Sequence, residues 1–499
     1  MPKKVVIIGG GIAGLSSGIY LQMNGFDTQI LEMNNEFGGS CERFEQGEFS
    51  FEGNFEYVLG TKPNELYGDL WKELFAFDFN EISYFDVFAS IQLGNGRVFE
   101  FYSDPERLLS EVRKFSSEDV EDFEVLLNST KALIKTNIPY KKPREVLNLI
   151  DYAKLYMREK DFFKLYNEWV NVSVDDFCKG LNSEELRIVL RLICKEKTQP
   201  MFDLLVLLAG LFGKGLGYPK GGSFDIVRNL KKRYVDLGGQ LSLGRKVSTV
   251  TMNDNVLTGV KLTCETRIPA DIVVSTVDAY DTFFRLLEEK VVKEDLKNMF
   301  KHWKVDESLL KVFVGTSMDF KFKSRKIVYQ LDKPVNIDNE NVQEKIEVVL
   351  FDDRQGLAPE GKTSLVINIR TSYKYWENLK VEGLEKYNNE KEKAALEILG
   401  FFDGKFEGFT QSVEELKVVT PVDFYERTNN YLGSYWGWKK TITSLNNNIG
   451  KKSYDLDNFY FAGKWVKPVA GLHDVALTGR DVAQVICKNQ GKKFKIDID

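Results

Sequence analysis

A short apolar run near the start of the chain leads directly into a glycine cluster, and few folds satisfy this pattern. The run Val5 to Ile8 is followed by Gly9, Gly11 and Gly14. Gly9 permits a tight turn, Gly11 lets phosphate groups approach the backbone, and Gly14 lets the next helix pack against the strand. A second apolar run ends in Glu32, an acid suited to a ribose hydroxyl. The unit predicts a strand, turn, helix and strand that bind a dinucleotide.

The start of the predicted helix is part of the same signal. Ile12 and Ala13 fall in its first turn, where free N–H groups and a partial positive charge favour a pyrophosphate. The alternative is a glycine-rich turn without a ligand, and the flanking strand, helix and acid all argue against it. This unit does not separate NAD from FAD, so the rest of the chain must decide between them.

Length and composition limit the class of protein. A chain of 499 residues exceeds one ordinary hydrophobic core, so two or three domains are expected. Hydrophobic residues make up 43% and charged residues 28%, which is typical of a globular protein. The net charge of −6 offers no basic footprint, and no nucleic-acid partner is expected.

Cysteines, histidines and apolar stretches indicate the environment of the chain. The five cysteines are scattered and never form a CxxC pair, which predicts reduced thiols in a cytoplasmic protein. Two histidines without ligand spacing predict no metal site. No targeting segment is expected, because glycines interrupt the N-terminal apolar run. The longest apolar stretch, residues 204–212, is far shorter than the roughly 20 residues of a spanning helix, which leaves only peripheral membrane contact open.

Secondary-structure signals change along the chain. Turn residues at 94–96 separate two alternating runs and predict a hairpin. Helical periodicity dominates from 103 to 212 and begins with Asp104 as an N-cap. A last strand over 459–461 runs into Gly463 and a C-terminal helix. Between these segments we expect a helix over 223–237 and strands over 240–243, 247–252, 256–262, 272–275, 310–314, 346–350 and 364–369.

Three separated blocks occur together in this sequence. They are the N-terminal glycines with Gly38 and Gly39, the YPKGG block at 218–222, and a C-terminal block over 461–480. In this order they resemble the FAD-dependent amine oxidase and phytoene desaturase superfamily, and the YPKGG form is most similar to its carotenoid isomerase and retinol saturase branch. The resemblance spans essentially the whole chain and implies FAD as the cofactor.

The resemblance also implies which residues hold FAD. Ser40 stands where phytoene desaturases usually carry arginine, and Lys464 stands where an acid usually contacts the ribitol. Gly471 and Leu472 open the last helix, whose N-terminus would stabilise negative charge on a reduced flavin. Redox chemistry is therefore assigned to the cofactor. The implied cofactor-binding residues are Gly9, Gly11, Ile12, Ala13, Gly14, Glu32, Gly38, Gly39, Ser40, Val247, Gly463, Lys464, Gly471 and Leu472.

Four side chains are candidate catalytic residues, and each has a structural alternative. Glu56 could face the flavin, where burial would raise its pKa, or it is a solvated loop carboxylate. His473 could donate a hydrogen bond to the flavin loop, or it is a helix-start residue beside Asp474. Tyr218 and Lys220 could line the flavin pocket, or they face solvent in a turn.

Aromatic richness favours an apolar substrate. The cluster Tyr431, Tyr435, Trp436 and Trp438 resembles the family segment that lines the substrate cavity, although aromatic clusters also form ordinary core. Together with 36 Phe and 21 Tyr, it indicates a long apolar tunnel. Residues 204–212 are then a tunnel wall, a membrane-dipping face or simply core.

The expected fold is α/β. It combines a Rossmann-like FAD-binding domain, with a doubly wound parallel sheet, and a discontinuous α+β substrate domain with a helical insertion. The FAD-binding domain is expected over 1–80, 217–290 and 446–499. The substrate-binding domain is expected over 81–216 and 291–445, with 103–212 mainly helical.

The predicted function follows from the resemblance. It is a FAD-dependent oxidoreductase acting on carbon–carbon bonds of an isoprenoid or polyene substrate, through desaturation, saturation or cis–trans isomerisation by hydride exchange with flavin N5. One alternative is a flavin amine oxidase. Another is a non-catalytic prenyl-binding protein on the same fold. Neither the substrate, the electron partner nor the oligomeric state is predicted.

Overall fold

The computed structural model describes residues 1–41, 43–53, 55–254, 256–289, 291–320, 322–335, 337–338, 341–450, 455–469 and 471–497. Strands within these residues are β1 (Lys4–Ile8), β2 (Asp27–Leu31), β3 (Arg43–Gln46), β4 (Phe49–Glu52), β5 (Val58–Leu59), β6 (Ile82–Ser83), β7 (Val87–Gln92), β8 (Val98–Tyr102), β9 (Leu216–Pro219), β10 (Gln240–Ser242), β11 (Val247–Asn253), β12 (Val256–Leu262), β13 (Arg267–Pro269), β14 (Ile272–Ser275), β15 (Ser308–Thr316), β16 (Lys326–Val335), β17 (Gln343–Phe351), β18 (Thr363–Thr371), β19 (Val413–Val419) and β20 (Phe459–Phe461).

Helices connect and cover these strands. The α-helices are α1 (Ile12–Met23), α2 (Gly68–Leu74), α3 (Pro105–Phe115), α4 (Val120–Ile134), α5 (Leu149–Arg158), α6 (Lys160–Trp169), α7 (Val174–Gly180), α8 (Glu184–Ile193), α9 (Met201–Phe212), α10 (Gly222–Asp236), α11 (Glu294–His302), α12 (Tyr373–Glu382), α13 (Leu384–Asp403), α14 (Phe409–Ser412), α15 (Pro421–Thr428) and α16 (Leu472–Asn489). A single π-helical stretch, Asp281–Leu286, follows β14 in the described chain.

A parallel sheet carries the N-terminal glycine loop. Its strand order is β10-β2-β1-β14-β20, and every pairing is parallel. Alternate side chains of β1 enter two separate clusters: Val5 and Ile7 pack beneath helices, whereas Val6 and Ile8 pack against the β11–β13 meander. α1 packs against both α10 and α16. This sheet, covered on both faces, confirms the predicted α/β fold with a Rossmann-like core.

A second, larger sheet has the strand order β19-β15-β18-β17-β16-β7-β8. Only the β16–β7 pairing is parallel among the described strands of this sheet. Leu310, Val312 and Ile367 on one face pack against α12 and α13, which contribute Trp376 and Ile398. The opposite face of β15–β18 is left to line a cavity. The domain boundaries expected above stay a prediction.

Helices dominate residues 105–212, as the periodicity predicted, with irregular connections over 135–143 and 194–200. Asp104 caps α3 by accepting hydrogen bonds from the N–H groups of Glu106 and Arg107. α9 contains the longest apolar stretch, and Leu205 and Leu208 on it are buried in the core. The membrane-dipping alternative for this stretch is therefore wrong. Among the described residues, no helix combines the length and apolarity needed to cross a bilayer.

Candidate functional site

A groove lies at the carboxyl ends of β1, β14 and β20, the edge where α/β sheets bind nucleotides. It encloses about 150 Å³. The structure brings most of the implied cofactor residues together along it, although their binding role stays a prediction. The implied residues that line it are Gly9, Gly11, Ile12, Ala13, Glu32, Gly38, Gly39, Ser40, Val247, Gly463, Lys464, Gly471 and Leu472.

Two glycines of the loop serve different purposes. A Cβ atom at Gly14 would lie 2.0 Å from the carbonyl oxygen of Gly9, so only glycine lets α1 approach β1 this closely. A Cβ atom at Gly11 would meet no protein atom closer than 3.8 Å. The space beside Gly11 therefore belongs to the groove, as expected where a pyrophosphate passes.

Two helix N-termini face the groove. α1 begins after Gly11 and α16 begins after Gly471, and within the described chain neither has a side-chain cap. Their first-turn N–H groups are thus available to an anionic ligand, and each helix end adds a partial positive charge. This arrangement suits a pyrophosphate at α1 and a reduced flavin ring at α16.

Glu32 is buried at the end of β2. Its carboxylate accepts hydrogen bonds from the N–H groups of Gly10, at 2.7 Å, and Asn34, at 2.9 Å. Burial raises the pKa of Glu32 even though these hydrogen bonds lower it. The carboxylate therefore orders the glycine loop and leaves lone pairs on the groove side, where a ribose would supply hydroxyl donors.

Lys464 joins two walls of the groove. Its Nζ donates hydrogen bonds to Ser40 Oγ at 3.1 Å, to the Ser434 carbonyl at 3.2 Å and to the Tyr435 carbonyl at 2.8 Å. The lysine thus ties the Gly38–Ser40 turn to the aromatic segment, an interaction that an acid at this position could not make. The departure from the family pattern has a structural role here.

A much larger cavity, about 1170 Å³, adjoins the groove. Its floor is the exposed face of β15–β18, and its opposite wall comes from α6, α8 and α9. Trp436, Val469, Gly471 and Leu472 line both spaces, so cavity and groove meet at these residues. A cofactor in the groove would present its ring to the cavity at this junction.

The structure places His473 and Glu56 on the cavity wall. The His473 ring packs on Tyr67, with ring centres 4.4 Å apart, and burial lowers its pKa, so the imidazole is neutral at physiological pH. Glu56 forms an ion pair with Lys326, at 3.0 Å between Oε2 and Nζ. Both line the large cavity, and their catalytic roles stay predictions.

The two candidates in the YPKGG block point elsewhere. Tyr218 is buried, and its hydroxyl donates to Glu52 Oε1 at 3.3 Å. Lys220 is exposed and pairs with Glu81, at 2.7 Å between Nζ and Oε1. Within the described residues, neither side chain lines the groove or the cavity. Tyr218 lies within β9, which is buried throughout, whereas Lys220 follows the last residue of that strand and is exposed.

Sequence reasoning missed Glu52, the last residue of β4. It lines the cavity and accepts hydrogen bonds from Ser223, through N–H at 3.0 Å and Oγ at 2.6 Å. Burial raises its pKa to about 7 against the hydrogen bonds from Ser223 and Tyr218. A carboxyl group with such a pKa can give or take a proton at neutral pH. The sequence signal that could have identified Glu52 is its position as an acid at the end of the apolar strand β4.

The groove and the adjoining cavity define a class of protein, an α/β oxidoreductase that holds a dinucleotide beside an enclosed substrate. The chain belongs to the flavin containing amine oxidoreductase family, whose model matches residues 12–487. The protein is therefore a FAD-dependent oxidoreductase. This membership sets aside the non-catalytic alternative.

Relatives extend this assignment. The chain is 24% identical to the 4,4'-diaponeurosporene oxygenase of Staphylococcus haemolyticus, over 97% of this chain and 97% of the relative. It is 22% identical to a phytoene desaturase (lycopene-forming) of Pantoea ananas, over 98% of this chain and 99% of the relative. The crystal structure of an oxidoreductase from Methanosarcina mazei shares the fold, at 16% identity and a TM-score of 0.59, covering 96% of this chain and 100% of that one. The predicted superfamily is confirmed.

Proposed function

We propose that the protein exchanges a hydride with a carbon–carbon bond of a long isoprenoid or polyene substrate. The observation that carries this proposal is the cavity of about 1170 Å³, which opens onto the cofactor groove and has an apolar helical wall. Phe162, Val206 and Leu207 are part of that wall. Two relatives are named for diaponeurosporene and phytoene, which supports the same substrate class.

The residues present fit FAD, and each has a definite task. The Gly11 side of the groove would take the pyrophosphate, Glu32 the ribose and the α16 N-terminus the flavin ring. When bound, FAD supplies a hydride acceptor or donor. The apolar wall orients the chain and excludes water, and Glu52 has a pKa suited to the accompanying proton.

A cavity-filling variant tests the substrate proposal. Val206→Trp places an indole in the apolar half of the cavity, so the response of bound FAD to phytoene under anaerobic conditions should fall roughly tenfold or more. The measurement is the flavin absorbance change during titration. Val125→Trp, at an exposed position of α4, is the control and should respond as the wild type does.

Two outcomes would contradict the proposal. One is a flavin spectrum that no polyene alters in the wild-type protein. The other is hydrogen peroxide release with putrescine or another amine, which would establish the amine oxidase alternative.

We also propose that α5 contacts an anionic membrane surface. No residue of α5 is buried, and Leu149, Ile150 and Met157 are 90%, 66% and 67% exposed. Lys154 and Lys160 are exposed nearby. An exposed apolar face beside basic residues is typical of helices that lie on anionic bilayers, and α6, the next helix, forms part of the cavity wall.

Vesicle sedimentation tests this contact. The wild-type protein should sediment with phosphatidylglycerol vesicles, and the double variant Leu149→Glu/Ile150→Glu should remain in the supernatant. The variant replaces two apolar side chains that would enter the bilayer with carboxylates that the anionic lipid head groups repel. Leu384→Glu, an exposed leucine on α13, is the matched control. Equal sedimentation of all three proteins would refute the contact.

A further inference from the structure

The walls of the large cavity differ in chemistry. The helical wall is mostly apolar, with Arg191 and Asp203 as charged exceptions, whereas the sheet floor carries a charged row across β15–β18. Most cations there already have carboxylate partners. On the floor, Lys326 pairs with Glu56 and Glu347, Lys345 with Glu347, and Arg370 with Glu196 and Glu307. Beside the floor, Lys439 pairs with Glu196 and Glu307, and Lys440 with Asp203. These cations are therefore neutralised by protein carboxylates and do not need a charged ligand.

The loop after α8 is held rigidly against that floor. Arg370 donates a hydrogen bond to the carbonyl oxygen of Lys195. Glu196 lies 2.7 Å from Lys439 Nζ and 3.5 Å from Arg370. Glu307 completes the network from the opposite side. This network therefore fixes the backbone of Lys195, and the ammonium group of Lys195 takes no part in it.

Lys195 differs from the paired cations. Its side chain is accessible from the cavity, and its Nζ lies 3.2 Å from the centre of the Trp436 ring. Among the described residues, no carboxylate lies within ion-pair distance of this Nζ. Trp436 also lines the cofactor groove, so the ammonium group stands where cavity and groove meet. A cation held in this position can bind an anionic group of a ligand.

We propose that Lys195 binds the carboxylate head group of an amphiphilic substrate whose isoprenoid chain lies along the helical wall. The inference rests on the function proposed above and narrows its substrate class from isoprenoids and polyenes in general to long-chain isoprenoids that carry a carboxylate. In this orientation the acidic end lies beside the cofactor groove, and the chain extends toward Phe162 and Leu207.

The electrostatics around Lys195 agree with this geometry. Burial lowers the pKa of Lys195 to about 8, and the positive charge of Lys326 adds to this decrease. The negative charges of Asp306, Glu56 and Glu347 raise this pKa but do not outweigh burial. The surrounding protein thus desolvates the ammonium group without supplying a close counter-ion. A bound carboxylate would provide one, as a charge-assisted hydrogen bond in a partly desolvated place.

Calorimetric titration of the FAD-loaded protein tests the proposal. Geranylgeranoic acid and geranylgeraniol share one carbon skeleton and differ only in the head group. The wild-type protein should bind the acid roughly 10- to 100-fold more tightly than the alcohol. Lys195→Met should remove that preference, and Lys195→Arg should keep most of it. Lys197→Met removes a charge from the same cavity at a lysine that is not stacked on Trp436, and it should keep the preference.

The outcomes separate the two proposals. Equal affinity for acid and alcohol in the wild type, or an unchanged preference in Lys195→Met, overturns the role of Lys195 and leaves the isoprenoid function standing. Binding of neither compound overturns both. A thermal melt of Lys195→Met that matches the wild type shows that the side chain acts on the ligand and not on the fold.

Discussion

A Gly11→Val variant is expected to fold as the wild type does and to retain essentially no FAD. The nearest protein atoms to a Cβ atom at this position are Gly38 O and Gly39 Cα, both 3.8 Å away. The backbone of Gly11 has φ −79°, which any residue adopts. The added methyl groups would instead occupy the groove space of the pyrophosphate. The flavin-to-protein absorbance ratio after reconstitution measures the effect.

The controls for this variant distinguish loss of ligand from loss of fold. Gly400→Val, at an open position of α13 where a Cβ atom would meet no described atom within 4 Å beyond the adjacent helix backbone, should keep full flavin content. Gly14→Ala should fail to fold, because its Cβ would overlap the Gly9 carbonyl. Full flavin occupancy in Gly11→Val would show that the pyrophosphate does not pass this residue.

Glu73→Ala is expected to cost about 3–5 kcal/mol in the free energy of unfolding. Glu73 is buried where α2 meets α1 and α16, and its Oε2 lies 2.8 Å from Arg480 Nε and 2.6 Å from the Tyr20 hydroxyl. The substitution would leave the guanidinium of Arg480, which is only 2% exposed, without its carboxylate partner, although it would keep its hydrogen bond to the Lys141 carbonyl. Urea denaturation followed by circular dichroism measures the change.

A surface pair provides the matched comparison. Glu81→Ala breaks the ion pair with Lys220, whose side chains are 50% and 69% exposed, and should cost at most about 1 kcal/mol. The double variant Glu73→Leu/Arg480→Met should recover much of the loss, because it removes both buried charges together. A Glu73→Ala variant as stable as Glu81→Ala would contradict the buried network.

Local signals made the cofactor groove predictable from the sequence. Gly9, Gly11 and Gly14 occur at fixed spacing between a strand and a helix. Gly9 and Gly14 meet steric demands of the nearby backbone, and Gly11 leaves space for a ligand. Glu32 follows for the same reason, since the end of β2 lies beside the end of β1. Geometry that depends on residues close together in the sequence can be predicted from their spacing.

The cavity was predictable only in part. The alternation of polar and apolar residues along β15, β17 and β18 indicates that one face of these strands is polar. Alternation does not tell whether such a face contacts solvent or an enclosed cavity. The cavity agrees with the predicted apolar tunnel along its helical wall and differs from it on the sheet floor, which carries Glu347 and Arg370. Lys195 and Trp436 are brought together by the fold alone.

The strand order of the parallel sheet governs when the protein can acquire its cofactor. Only α1 separates β1 from β2 in the sequence, whereas β14, the other neighbour of β1, leaves the ribosome much later, and Gly463 and Gly471 later still. Until then one edge of β1 offers unpaired N–H and C=O groups to other nascent chains, and such distant pairings form slowly. If FAD contacts Gly463 and the N-terminus of α16 as expected, its complete site would form only after these residues have been synthesised.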